Sequence, residues 1–299
     1  MWFRNLRLYR LSPESLGTSQ QLNETLGKRP LTRCGGLDMI TRGWVFPRRD
    51  AFVHTVNRQW LLALGVEQKL LPATVVRQVM QERAAEIEAE QNRKVGRKEL
   101  RDLREQVTLE LLPRAFTRRR TTWAWIDPVN GWLVIDAGSD ARADELLETL
   151  LQTVGDLGLR PLQTQVSPTT AMTDWLAGNE APAGFSIDDQ LELRATAAGQ
   201  SAIRYVKHAL EGEEIRQHIA RGKVATRLAL TWNDKISFVL TDTLQIKRLG
   251  FLDILKEAAE QSAQEADEQF DIDFALMAGE LQQLFTDLLL ALGGELKPV

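Results

Sequence analysis

The chain has 299 residues, 43% hydrophobic and 26% charged, with a formal net charge of -4 and a pI near 5.6. That composition is globular, with room for one large core or two moderate ones, and length alone favours two domains. Cys34 is the single cysteine, which excludes an intrachain disulfide and thiol-rich zinc sites; His54, His208 and His218 are scattered without ligand spacing, so no metal site is expected.

No apolar run reaches the roughly 18 residues of a membrane span, and the start MWFRNLRLYRL puts charges where a signal peptide needs its apolar centre. A cytoplasmic location follows as the expectation. Residues 2 to 11 have the aromatic and aliphatic content of a half-buried strand. SPESLGTSQQLNETLGK reads as a short helix opened by Ser12 and Pro13 and ended near Gly27. Gly43 to Phe46 and Gln59 to Leu64 read as strands, QWLLAL being buried on both faces, with Glu67 to Leu71 continuing the meander.

Pro72 sits where a helix begins, and Val75, Val76, Val79, Met80 and Ile87 supply its apolar stripe. Gly96 is read as the break, followed by a second helix carrying Leu100, Leu103 and Val107. The expectation is a helical hairpin over 72 to 112 that projects from a sheet. Across it, residues 77 to 120 hold twelve Lys or Arg in a chain that is acidic overall. Arg93, Lys94, Arg97, Lys98, Arg101 and Arg104 recur at three- and four-residue spacing, which gathers them along one side of a helix. Like charges so placed repel unless solvent screens them or a polyanion neutralises them. A solvated helix face is one reading; the second cluster, Arg114, Arg118, Arg119 and Arg120, just past the helix stop at Pro113, favours a phosphate-tracking surface.

Thr122 to Ile126 and Trp132 to Asp136 read as a hairpin around the turn DPVNG. Its Trp123, Trp125 and Trp132 fit a sheet core better than base stacking, although both are open. Ser139 to Val154 is an amphipathic helix facing inward through Leu146, Leu147 and Leu150. PLQTQVSPTT has the content of a linker or edge strand and places a domain boundary between 1–165 and 166–299. Thr170 to Leu176 reads as a short helix, 178 to 186 as a loop, Gln190 to Arg194 and Ala202 to Leu210 as strands, and Glu213 to Ala220 as a helix.

In Lys223 to Trp232, Val224, Leu228, Leu230 and Trp232 point one way and Lys223 and Arg227 the other, so the cations are expected to be free. Ile236 to Thr241 pairs with it, and Thr243 to Leu249 adds a strand bearing Lys247 and Arg248. Arg204 and Lys207 would extend the basic surface. From Asp253 to Asp273 eight acidic residues face only Lys256, a run assigned to the exterior or to a partner's site. The last helix, Phe274 to Leu292, has a broad apolar face that either packs on the second sheet or dimerises.

Nucleotide-loop, dinucleotide, nucleophile-elbow and zincin motifs are absent, the Gly-Lys pairs at Gly27 and Gly222 lacking the upstream glycine. Asp242, Gln245, Ile246 and Lys247 loosely match the acid and Glu/Gln-x-Lys layout of some magnesium-dependent nucleases, but at short spacing and in residues common enough to match by chance. No catalytic residue and no cofactor are expected.

WFRNLRLYRL at 2 to 11, EAEQNRK at 88 to 94, LLPRAF at 111 to 116, WIDPVNGWLVID at 125 to 136, GKVATRLALTW at 222 to 232, and FALMAGEL with LGGE near the end lie in order along the chain. In these blocks the sequence resembles the RdgC family of recombination-associated DNA-binding proteins over its full length. The resemblance implies a bacterial, nucleoid-associated α+β protein of antiparallel sheets with packed helices, without catalysis. It implies a homodimer closed into a ring whose basic hole admits duplex DNA of any sequence; weaker binding of single strands is a further option, the preference between the two being open at this point. Such a ring limits access of the RecA recombinase in recombination and replication-fork repair. It implies a contact at Phe116 that closes the ring, though Phe116 also fits a core. Arg93, Lys94, Arg97, Lys98, Arg101, Arg118 and Lys207 carry over as DNA-facing; Arg104, Arg119, Arg120, Arg204, Lys223 and Arg227 rest on local chemistry alone. The role of His208 is open. A rival from another class is an adaptor whose helical arm binds protein partners and whose cations are merely solvated.

Overall fold

A computed structural model describes residues 1–196, 201–207, 210, 212–252 and 266–296. The first half runs β1 (Leu6–Arg10), α1 (Ser19–Leu26), β2 (Ile40–Val45), β3 (His54–Val56), β4 (Gln59–Leu70), α2 (Ala73–Gln91), α3 (Arg97–Leu111), β5 (Phe116–Asp127), β6 (Trp132–Asp136), α4 (Asp140–Val154) and β7 (Arg160–Pro161). The second runs α5 (Pro168–Gly178), β8 (Phe185–Ala195), β9 (Ala202–Val206), α6 (Glu213–Ala220), β10 (Lys223–Trp232), β11 (Ile236–Thr241), β12 (Ile246–Phe251) and α7 (Ala266–Ala291). These are seven α-helices among the described residues, and with the strands they make an α+β protein.

The twelve strands form one sheet in the order β2-β4-β5-β6-β1-β12-β11-β10-β8-β9, with β3 beside β4 and β7 beside β1, each strand pairing being antiparallel. The N-terminal strand is the splice between the halves. β1 pairs along its length with β6 on one side and meets β12 on the other at Leu6 and Ile246, where the Leu249 N–H also donates to the Arg4 carbonyl at 2.8 Å.

Alternation along the strands feeds two cores, one on each face. Leu62, Leu64 and Val66 of β4, Ala124 and Ile126 of β5 and Leu133 and Ile135 of β6 pack with Leu22 and Leu26 of α1 and Leu146 and Leu150 of α4. Leu61, Trp125, Trp132 and Val134 face the other way, onto a larger core with Leu191, Leu193, Leu228 and Leu230 and the helices α5, α6 and α7. A strand buried on both faces needs the near-continuous apolar run seen in QWLLALGV. The apolar face of α7 is used inside the chain: Phe285 lies 6.0 Å from Trp125 and 5.2 Å from Trp132, ring to ring, so those two tryptophans are core. Truncating Phe285 to Ala would remove about 3–5 kcal/mol.

Several local expectations are corrected. Ser12 and Pro13 open only a 3-10 turn, because Gly17 at a φ of 63° interrupts the chain; α1 starts afresh on Thr18, capped reciprocally with Gln21. β4 is one strand through Leu70 rather than two pieces. The break between α2 and α3 is made by Asn92, which caps α2 in the left-handed region at a φ of 48°, whereas Gly96 has an ordinary φ and open space where a side chain would go. β8 begins at Phe185, inside the expected loop, and β9 stops at Val206. In its described part α7 reaches back to Ala266. His208 and residues 253–265 of the acidic run lie outside the described residues. Within the described part, Asp271 pairs with Arg48 and His54, and Asp273 with the N-terminal amine, so these two carboxylates serve the chain's own cations.

Candidate nucleic-acid interface

α2 and α3 pack on one another and are joined across their length by Arg83 and Glu110 at 2.6 Å. The buried residues Val76, Ala84, Leu103 and Val107 hold the pair together, which turns the remaining positions of α3 to solvent. At the connecting turn the cations are already matched. Arg93 donates through both terminal nitrogens to Glu99 at 2.8 Å, and Lys94 donates to Glu88 at 2.8 Å, while Glu88 also accepts from the Val95 N–H. Those hydrogen bonds lower both carboxyls below the ordinary glutamate value and raise Arg93 and Lys94.

Further along α3 the pattern changes. Arg97, Lys98, Arg101 and Arg104 are exposed and, among the described residues, have no carboxylate within ion-pair distance. Arg97, Arg101 and Arg104 line one shallow groove between the helices together with Arg77 of α2. Among the described residues no carboxylate pairs with these four arginines, so the groove is a concentration of positive charge.

Arg118, Arg119 and Arg120 do not form a cluster past a helix stop. They lie on β5, which starts at Phe116, and alternation sends neighbours to opposite faces. Arg119 stands directly across from Glu67 of β4 and is paired with it. Glu67 is buried and lowered by the Cys34 backbone N–H first and Arg119 second. Arg120 shares Glu145 of α4 with Arg42. Only Arg118 of the three lacks a carboxylate partner among the described residues.

The second basic surface is the face of β8, β9, β10, β11 and β12 opposite α5, α6 and α7. Gln190, Glu192, Arg194, Arg204, Arg227, Val239 and Lys247 belong to neither core. Arg204, Glu192 and Arg227 form one row across three strands, since Glu192 faces Arg204 on β9 and Arg227 on β10. Arg194 and Arg204 both donate to Glu192, so Arg204 is not free as expected, whereas Arg227 has no ion pair among the described residues. Lys247 is lowered from the ordinary lysine value by burial first and then by Arg7 and Arg227. Lys223 departs from this face. A β-bulge between Ala225 and Arg227 shifts the alternation, so Lys223 shares the side of Ala225, which is core. Lys207 is exposed just past β9, at a φ of 54°. Arg194 was legible beforehand, because Leu191 and Leu193 point inward and Glu192 and Arg194 must then point out.

Phe116 is 85% exposed, the most exposed large apolar side chain among the described residues, so it is not core. Asp242 donates its backbone N–H to the Thr226 carbonyl and Gln245 leans towards Asp140 at 3.4 Å, while at Lys247 burial and the repulsion of Arg7 and Arg227 outweigh the attraction of Asp140 and Asp242. No group of three His, Cys, Asp or Glu able to hold a metal occurs among the described residues, and no described helix is long and apolar enough to cross a membrane.

A family model described as "Putative exonuclease, RdgC" matches residues 1–295. The "Recombination-associated protein RdgC" of Dechloromonas aromatica is 54% identical over 300 residues, covering 99% of this chain and 98% of that one. The protein of the same name from Herminiimonas arsenicoxydans is 52% identical over 296 residues, covering 99% of both. That of Bordetella pertussis is 49% identical over 296 residues, again covering 99% of both.

Proposed function

Since the chain belongs to the RdgC family of recombination-associated proteins, we propose that it binds double-stranded DNA without reading sequence. In this reading it acts as a non-catalytic, ring-shaped homodimer in the nucleoid, obstructs RecA by occupying duplex, and binds single strands more weakly. α2 and α3 form the arm of each protomer, 1–165 and 166–299 its two units, and the basic surfaces face the hole. The observation that carries it is the run of exposed cations on α3, Arg97, Lys98, Arg101 and Arg104, which among the described residues have no carboxylate partner in a protein of net charge -4. Uncompensated charge of this kind gains by releasing counterions from phosphates, which needs no base contact. Arg118, Lys207 and Arg227 add to it, and Arg93 and Lys94 add less because Glu99 and Glu88 already hold them.

Encirclement needs a closing contact, and an aromatic ring 85% exposed at the start of β5 suits one. Binding to a labelled duplex of arbitrary sequence across a salt series, beside the same duplex as a closed circle, tests the whole. Expected are a steep fall of log K with log salt, alike for unrelated sequences, and slower loss from the circle. No binding at low salt sinks the reading. Phe116→Ala should speed loss from the circle several-fold while leaving affinity for a short linear duplex nearly unchanged; equal loss from both would remove Phe116 from the closure. Magnesium-dependent cleavage that disappears in Lys247→Ala would overturn the non-catalytic part.

A further inference from the structure

On the face of β8, β9, β10, β11 and β12 opposite α5, α6 and α7, which no described helix covers, a carboxylate lies among the cations. Glu192 is 3% exposed. Burying a carboxylate among arginines gives little net stability, since desolvation offsets most of the attraction. Its contacts are specific nevertheless. The Nε of Arg204 donates to it at 2.6 Å, the Nε of Arg194 at 2.8 Å, and the Thr226 hydroxyl at 3.2 Å. Burial pushes the carboxyl up, but the bonds from Arg204 and Arg194 outweigh it and hold the group below the ordinary glutamate value.

Both arginines therefore spend one nitrogen on Glu192, and their terminal nitrogens make no hydrogen bond among the described residues. The two side chains are 50% and 64% exposed, so those nitrogens are available to solvent. Directly across β10, Arg227 stands without an ion pair among the described residues. A cavity of about 240 Å³ opens here, lined by Gln190, Glu192, Arg204, Arg227, Lys247 and Arg248. Arg248 crosses the face to Gln190, donating at 2.7 Å. An anion of tetrahedral oxygens is the complement of such a set, because a guanidinium fixed at Nε presents its remaining N–H groups as a planar fork.

We infer that Glu192 is a positioning residue that, itself held from the other side by Arg194, pre-orients Arg204 so that it, with Arg227 and Lys247, grips a phosphodiester of a nucleic-acid strand. The assignment rests on the DNA-binding reading above and makes it specific. Fixing the guanidinium during folding removes the rotamer freedom that an exposed arginine would otherwise lose on binding. The negative charge of Glu192 thus strengthens the hold on a polyanion.

The test measures affinity of the full chain for a short duplex of arbitrary sequence, in wild type, Glu192→Gln, Arg204→Lys and Arg204→Ala. Glu192→Gln should weaken binding roughly fivefold although it deletes a negative charge, and Arg204→Lys should be nearly as weak as Arg204→Ala, since an ammonium cannot hold Glu192 and a phosphate in one fixed fork. Tighter or unchanged binding by Glu192→Gln, or wild-type affinity in Arg204→Lys, overturns the inference. Should Glu192→Gln fail to fold, the two Arg204 variants decide alone. If wild type binds, Arg97→Ala with Lys98→Ala and Arg101→Ala weakens it, and the Arg204 variants match wild type, this site is wrong and the DNA reading stands. A wild type that does not bind removes both. Inorganic phosphate at matched ionic strength should displace DNA no better than chloride; preferential displacement from wild type but not from Arg204→Lys identifies a free-phosphate site and overturns the backbone assignment.

Discussion

On α3 the cations Arg97, Lys98, Arg101 and Arg104 stand in solvent with no carboxylate partner among the described residues, whereas on β8 and β9 Arg194 and Arg204 are gripped by the buried Glu192. The helix surface keeps its charge and the side-chain freedom of long cations, so on the proposed DNA reading it would attract phosphates from a distance and lose entropy on contact. The sheet surface has given up part of its charge to gain geometry. On that reading the two surfaces would meet the same polyanion in two ways, one giving most of the salt dependence and the other the definition of the bound state.

The sharpest way to break the contrast is on the helix. Replacing Arg97, Lys98 and Arg101 together by Ala should lower duplex affinity by roughly one to two orders of magnitude on every sequence and make the salt slope shallower by about 2 to 3. An unchanged slope would return these residues to the role of a solvated face and favour a protein-binding arm.

Lys247→Met probes the sheet side. Lys247 is crowded by burial, Arg7 and Arg227, and its folded pKa lies below its unfolded one. Between those two values the unfolded chain holds more protons, so wild-type stability rises with pH through that alkaline window and the charge is a burden at neutral pH. Deleting it should raise the melting temperature by roughly 1–2 °C and weaken DNA binding about threefold. Bound phosphate favours the protonated amine, so as pH rises towards the ordinary lysine value wild-type affinity should fall more than that of Lys247→Met. A variant that melts lower, or binds as wild type does, removes Lys247 from the phosphate surface.

The smallest effect belongs to the turn of α2 and α3. Arg93→Ala or Lys94→Ala should change affinity by less than about twofold, because Glu99 and Glu88 already neutralise them. A loss as large as that of the α3 variants would mean that those exposed pairs open on DNA, and the distinction between compensated and uncompensated cations would fail.

Much of this was legible from the order of residues. The helix stripe of α2 and α3, except Val75, which stands exposed at the start of α2, the QWLLAL strand, the DPVNG turn, the inward tryptophans and the alternation of β10 beyond its bulge depend on spacing within one element, and spacing survives folding. Arg97, Lys98 and Arg101 were found by the same means. The errors came where a contact from elsewhere decided. Lys223 was placed with Arg227 until the bulge, which depends on how β10 registers with β8, moved it to the other side. Arg119 and Arg120 looked like free charge in a run of three, yet Glu67, 52 residues away, and Glu145 on α4 each hold one.

The sequence alone determined most of the long helices and strands though not their ends, where positive charge concentrates, and that one cysteine and three histidines supply no thiol-rich metal site. Tertiary structure alone decided that β1 joins β6 to β12 and makes one sheet of both halves, and which cations keep their charge. The reason is that periodicity is a property of neighbours along the chain, whereas neutralisation of a charge depends on a partner within 4 Å in space. Local order brings together Glu88 and Lys94 but has no say over Glu192 and Arg204, which a strand pairing sets face to face.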